Sequence, residues 1–412
     1  MLVALLLAAQ ITNVADAGDE KHPLEIDLEA GYSFLHAQTN ISRENAGDVL
    51  KHERDLNEVD FRLAIGIWHD LELHMVAPLA MRDLQVWHPL AGAGSLSGNT
   101  ISISGCGGKL CGPTQPILPV DGSSKRQGLF EPTIGISWGP INEERELKLK
   151  PELFPEGHAF STWALGIDYT APLGGNRLDD PSRWGFNSSP GTGPELRKVH
   201  VLTLWTAFSK RFRVLEPYLR FAGSLPFAAN GAYDNCSHPE LLADVAAANC
   251  KGAWAGQTGY LPSYEGAATL GTELVAAEGE DRRLSFDVRG DVTWHSPSRG
   301  YTQVTDALGK LTYADEYVTS AGTVGIYGRI ARWFHMRVYG VLGVDSAHFL
   351  THEDIGDDKD NDNGKITVSE GSGAPAPDQN PLYDYRLDQV GRRLRAEPSV
   401  FWGVAGTLSL NF

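Results

Sequence analysis

Beyond its first nine residues the chain has no apolar run long enough to make a helical membrane span, which excludes a helical membrane protein. It is also short of base, with 35 Lys and Arg against 52 Asp and Glu and a formal net charge of -17. A nucleic-acid binder needs a basic face to displace counterions, so that partner class is excluded. Neither a G-x-S-x-G nucleophile elbow nor an H-E-x-x-H metal motif occurs. The nearest His and Ser pairing, His295-Ser296, puts adjacent side chains on opposite faces of a strand, so no catalytic residue is assigned and no enzyme is expected. Cysteine is scarce: the four fall as two close pairs, Cys106 with Cys111 and Cys236 with Cys250. Two local disulfides in an exported protein fit this better than a zinc site, because no C-x-x-C and no matching His accompany either pair.

What is present points outward from the cytoplasm. Residues 2–9 form a short apolar stretch, and Ala15-Asp16-Ala17 offers a small-x-small cleavage site. Residues 1–17 are therefore expected to be a signal peptide and 18–412 one β-barrel, although no Lys or Arg precedes the apolar stretch.

Period-two alternation recurs along the rest of the chain. In Arg283–His295, Leu284, Phe286, Val288, Val292 and Trp294 alternate with Arg283, Ser285, Asp287, Arg289, Asp291, Thr293 and His295. One face of such a strand suits hydrocarbon and the other does not. Strands are expected near 24–36, 57–68, 71–85, 128–139, 158–172, 196–209, 215–228, 264–278, 282–296, 316–331, 333–349 and 394–412. The connections alternate between long (37–56, 86–127, 173–195, 229–263, 297–315, 350–393) and very short (His69-Asp70, Lys210-Arg211, Gly279-Glu280, Arg332), the pattern of long outside loops and short periplasmic turns. One further inner connection, 140–157, is longer and carries a charged run. The even strand number puts both termini on the periplasmic side. The expected fold is all-β: a transmembrane, antiparallel, up-and-down β-barrel of about 12 strands in the outer membrane of a Gram-negative bacterium.

The last strand carries a resemblance. Trp402, Val404, Leu408, Leu410 and Phe412 fall on one face, and the sequence stops at Phe412; this resembles the terminal assembly signal of bacterial outer-membrane β-barrels. It implies outer-membrane lipids and the barrel-assembly machinery as partners. The segment 62–82, RLAIGIWHDLELHMVAPLAMR, with Ala77-Pro78-Leu79 after a tight turn, is similar to transporter-like barrels grouped with phenol meta-pathway degradation proteins. A similar element recurs over 208–226. That resemblance implies uptake of hydrophobic or aromatic compounds, and no functional residue is carried over from it.

Parity along the strands assigns a charged lumen lining: Asp60, Arg62, Glu72, His74, Asp168, Arg220, Glu273, Arg283, Asp287, Arg289, Asp291, Arg329 and Arg337, with Arg82 placed there by the same count. Such groups must be hydrated or paired, so the lumen is either a water-filled channel or one zipped shut by ion pairs. Trp68, Trp87, Trp138, Trp205, Trp294, Trp333 and Trp402 stand near strand ends and are expected at the headgroup level. In the segment 357–370, Asp358, Asp360, Asp362 and Glu370 alternate around Gly364. This resembles an EF-hand-type calcium loop, with the Gly and the last acid each one place late and no flanking helices. Ca²⁺ is the one cofactor considered, none being required, and a plainly solvated acidic loop is the alternative.

The expected function is passage of small, hydrophobic or aromatic solutes across the outer membrane. A closed structural or adhesive barrel displaying acidic loops is the alternative, and a lipid-modifying enzyme the third reading.

Overall fold

The computed structural model describes residues 25–90, 122–142, 161–172, 180–181, 198–238, 242, 247–279, 281–359, 364–368 and 376–412. The strands are β1 (Ile26–Arg43), β2 (Gly47–Trp68), β3 (Leu71–Pro89), β4 (Gly122–Leu129), β5 (Thr133–Ile141), β6 (Thr162–Thr170), β7 (Val199–Ser209), β8 (Leu215–Ala228), β9 (Glu265–Glu278), β10 (Arg283–His295), β11 (Ser298–Gly300), β12 (Thr312–Ala314), β13 (Tyr317–Ala331), β14 (Phe334–Asp345), β15 (His348–Phe349), β16 (Leu394–Ala396) and β17 (Ser399–Asn411). Around the ring the order is β1-β17-β14-β13-β10-β9-β8-β7-β6-β5-β3-β2, all antiparallel, and β1 pairs with β2 to close it. Twelve places are filled, because β4 and β5 together occupy one, β4 against the far half of β3 and β5 against its near half. The sheet therefore has no open edge in the hydrocarbon and satisfies its backbone internally. The described ends of the chain meet, Ile26 and Phe412 exchanging backbone hydrogen bonds of 3.1 and 3.0 Å.

The alternation that defines β10 is realised residue by residue. Ser285, Asp287, Arg289, Asp291, Thr293 and His295 are buried, whereas Leu284, Phe286, Val288, Val292 and Trp294 are exposed on the outer surface. The belt continues with Val324 and Ile326 on β13, Val338 and Leu342 on β14, and Val404 and Leu408 on β17. Exposed to water, each such side chain would forgo about 1.5–3 kcal/mol of burial, so a continuous belt of them marks a lipid-facing wall. No helix among the described residues is long and apolar enough to cross a membrane; the crossing is made by strands.

The expected strands are all present, but one expected long loop, 37–56, is largely strand and strand also enters both ends of another, 86–127. Residues 37–56 form a hairpin in which β1 runs to Arg43 and β2 starts at Gly47, with Asn45 in the left-handed region (φ 63°). In the expected loop 86–127, β3 extends to Pro89 and β4 begins at Gly122. The physical reason is common to both. A strand that extends past the bilayer has no lipid on its outer face, so the polar–apolar alternation that reveals it disappears. Conversely, the expected strand 394–412 is interrupted after Ala396, where Pro398 offers no amide hydrogen. The short turns fall where expected, with Asp70 (φ 52°) and Arg213 (φ 56°) taking left-handed conformations in two of them. The connection 140–157 lies mostly outside the described residues, as do 1–17 and Cys106-Cys111.

Candidate functional site: a charged lumen under an interlocked cap

The inward faces carry a layered interior. Nearest the short-turn end, charged groups predominate. Glu72 joins Arg62 and lies 3.1 Å from His74 Nδ1, and His74 Nε2 lies 2.9 Å from Asp168 Oδ1, linking β2, β3 and β6. Across the ring Arg283 meets Glu273 at 2.8 Å and Glu216 at 3.2 Å, Ser285 donates to Glu273, and the Tyr218 hydroxyl donates to Asp287 at 2.5 Å. Thr269 donates to Asp291 at 2.7 Å, and Arg289 Nε stands 3.4 Å from the same carboxylate. Arg220 lies against the Trp205 ring, 4.9 Å from its centroid, and Arg337 against Tyr327 at 5.2 Å. Asp60, Arg329 and Arg337 occupy the same inward face of β2, β13 and β14.

These placements bring the parity-assigned residues to one interior, most of them in two polar groups on opposite walls. Arg82 is the exception and is exposed on the outside. A register shift in β3 between Ala80 and Asp83 inserts an extra residue, so Asp83, Gln85 and Trp87 point inward where the count put Arg82. Trp87, 2% exposed, and Trp205 thus belong to the interior rather than the headgroup level. Trp68, Trp138, Trp294, Trp333 and Trp402 are exposed on the outer surface.

Beyond the charged layer sits an apolar one that sequence reasoning missed: Leu35, Leu56, Tyr339, Val341, Phe401 and Ala405, contributed by β1, β2, β14 and β17. The Phe401 ring lies over Gly343, where a Cβ would stand 2.1 Å from it. The signal was present in the last strand, where Phe401 interrupts an otherwise small or polar inward face.

Above this layer the long connections fold over the mouth. The segment after β10 forms the hairpin β11–β12 around one helical turn, Thr305–Leu308. Its Asp306 is held by Arg126 of β4 through two 2.6 Å contacts and by Ser124 at 2.5 Å. β4 lies half the ring away from β13, the strand that follows this hairpin, so the contact spans the mouth. Val304 and Ala307 pack beside Ile41, Leu50 and Trp87 of the far wall and Leu350, Leu387 and Leu394 of the last long connection. Three connections interlock: Asn235 exchanges bonds of 3.0 and 2.9 Å with Leu311, Leu261 pairs with Arg299, and Trp254 Nε1 donates to the Pro377 carbonyl at 2.9 Å. Cys236 is bonded to Cys250 within this cap. Arg299 pairs with Glu353, and Asp384 with Arg386 at 2.6 Å.

The cap carries a pH signature. Burial pushes the Asp388 carboxyl up to about 7; Lys310 opposes that, while Glu353 and Asp384 reinforce it. Burial would raise Asp384 as well, but Lys310 and Arg386 overcome it and bring it down to about 2. A carboxyl raised in the folded cap is neutral there while the loosened state ionises, so its penalty starts above pH 3.8 and is complete above 7. The contribution of Asp384 has the opposite sign, present above 3.8 and lost towards 2. Together these two carboxyls favour the closed cap most near pH 4 and less towards neutrality. Hydrogen exchange in 376–396, corrected for intrinsic rate, should accelerate from pH 5 to 8, and Asp388→Asn should flatten the profile. An unchanged slope in that variant would assign the effect elsewhere.

Of the expected calcium ligands only Asp358 is described; Asp360, Asp362 and Glu370 lie outside the described residues. Among the described residues no group of three His, Cys, Asp or Glu side chains could hold a metal. His295 engages Glu265 and Thr319 at 3.2 Å each, while the Ser296 hydroxyl accepts from the Tyr264 amide at 2.9 Å, so the two do not meet as a dyad.

No known family matches the chain by sequence, and no curated protein does. Among solved structures it is similar to an outer-membrane channel from Pseudomonas putida F1, at 11% identity over 95% of this chain and 96% of that one, with a TM-score of 0.44. It is also similar to a FadL homologue from Pseudomonas aeruginosa (8%, 94% and 90%, TM-score 0.36) and to the outer membrane protease OmpT from Escherichia coli (8%, 94% and 97%, TM-score 0.30). Likenesses this distant assign no activity. The closed ring of twelve strands, the lipid-facing belt and the polar interior stand without them: the chain is an outer-membrane β-barrel.

Proposed function

We propose that the barrel passes small solutes across the outer membrane, with the cap as the barrier at its outer mouth. The observation that carries this reading is an interior left polar along the wall, with ionic side chains that do not all find partners, beneath a cover held by a few discrete contacts. A barrel serving only as a stake could fill its core with apolar side chains at lower cost. The apolar layer around Phe401 favours solutes with an apolar or aromatic body, and the charged layer below selects among them by charge.

Proteoliposome swelling with graded sugars, acids and aromatic solutes tests this. Swelling above that of protein-free liposomes, varying with solute charge, is expected. Rates equal to empty liposomes, with the cap intact and with its Asp306 latch removed, would overturn it in favour of a closed barrel that displays its acidic loops. Outer-membrane lipids around the belt, recognition of the terminal strand by the assembly machinery, and Ca²⁺ held by Asp358, Asp360, Asp362 and Glu370 belong to the same proposal. Support for the last is that Asp358 Oδ1 is buried and meets no hydrogen-bond partner among the described residues. No catalytic role is proposed.

A further inference from the structure

The interior charges that remain without partners are sorted by wall. On β1 and β2, Glu58 is fully buried and paired carboxyl to carboxyl with Asp60, which is 5% exposed; among the described residues no basic side chain, amide or hydroxyl donates to either Glu58 oxygen, to Asp60 Oδ1 or to Asp27 Oδ1. On β13 and β14, Arg329 Nε, Arg337 Nε and His335 Nε2 meet no acceptor among the described residues. Arg329 and His335 are cross-strand partners, so the basic groups form one patch.

Register places the two groups on neighbouring arcs of the ring, flanking β17. Asp60 pairs with Gly31, Gly31 with Thr407, and Thr407 with Arg337. Three interstrand steps separate acid from base, about 14 Å along the wall. Along that row no charged side chain intervenes, and Glu29 of β1, bonded to Ser409, stands one inward position nearer the short-turn end. Gly31 has no side chain, and Thr407 is 4% exposed with its hydroxyl oxygen also without a partner. Tyr339, buried on the same side, is within electrostatic reach of Arg337 and Arg289 on one hand and of Glu29 and Asp60 on the other.

From this geometry we infer that the lumen holds a subsite for a small zwitterion, its carboxylate on Arg337, Arg329 and His335 and its ammonium on Asp60, with the buried Glu58 carboxyl behind it. A solute with one charge meets one wall and leaves the other wall's buried groups unsatisfied, whereas a solute with both charges satisfies the two together. The inference rests on the solute-passage reading and narrows its class. It differs from a purely hydrophobic cargo, which would leave both walls unmet.

The test is binding, measured by calorimetry on the full-length barrel in detergent, with three probes of one chain length: 6-aminohexanoate, hexanoate and hexylamine. The zwitterion should bind about tenfold or more tightly than either analogue. Arg337→Gln should bring its affinity down to about that of hexylamine, and Asp60→Asn to about that of hexanoate. Folding of each variant is verified by its heat-modifiable migration, and retained affinity of Arg337→Lys, which restores the charge, separates ion pairing from loss of structure. Equal binding of the three probes, no binding by a folded barrel, or variants indistinguishable from the parent would overturn the inference. Selective binding without zwitterion flux in proteoliposomes would remove passage and leave the subsite. Sugar flux without selective binding would do the reverse.

Discussion

Asp306→Ala should raise the single-channel open probability of the purified barrel in planar bilayers by roughly two orders of magnitude or more. Arg126, 1% exposed, has its guanidinium matched to the Asp306 carboxylate. Removing one partner of a buried pair costs about 3–5 kcal/mol, because the survivor stays buried and uncompensated. At about 1.4 kcal/mol per decade this moves a closed–open equilibrium roughly 100- to several-thousand-fold. Because the contact joins the hairpin after β10 to the opposite wall, the free energy acts on mouth closure rather than on the ring, whose strand pairing is independent of it. The double variant Arg126→Met with Asp306→Leu provides the control. It removes both charges and keeps apolar volume, so closure should return towards the parent. Unchanged currents in Asp306→Ala, with the barrel folded, would show that the cap is not the barrier.

The second large effect belongs to the outer surface. Val288→Arg should destabilise the barrel by about 2–4 kcal/mol in refolding titrations into phospholipid vesicles, while Leu284→Arg should cost about 0–1 kcal/mol. Both residues face outward on β10, at 55% and 41% exposure, but Val288 is central in the strand and Leu284 stands at its end. A guanidinium at the bilayer midplane loses its hydration, whereas one near the interface snorkels to the headgroups. Were the belt a soluble surface, an exposed arginine at either position would change stability by less than about 0.5 kcal/mol. Equal, small costs at the two sites would therefore contradict a lipid-facing belt.

Both expectations show which parts of the molecule were legible in one dimension. The two faces of β10 were readable because each side chain's solvent, hydrocarbon or interior, follows from parity alone. The hairpin of β1 and β2 was not, since above the bilayer its outer face meets water and the apolar marker vanishes. Arg82 was misplaced by a single bulged residue in β3, which reverses parity for everything beyond it without altering composition. Trp87 and Trp205 were misread because an aromatic near a strand end looks the same whether it points to headgroups or into the barrel.

By itself the sequence determined that the chain crosses its membrane with about twelve antiparallel strands, where most of them run, and which charged residues could not face lipid. Those properties are set by local periodicity and by the solvents the two faces must meet. Only the tertiary structure decided that Asp306 meets Arg126 across the mouth, that Phe401 lies in an apolar layer, and that the unpartnered acids and bases occupy opposite sides of an uncharged β17. Such relations depend on how the ring closes and on the register of each pair, and residues 180 positions apart carry no mutual signal until closure brings them into contact.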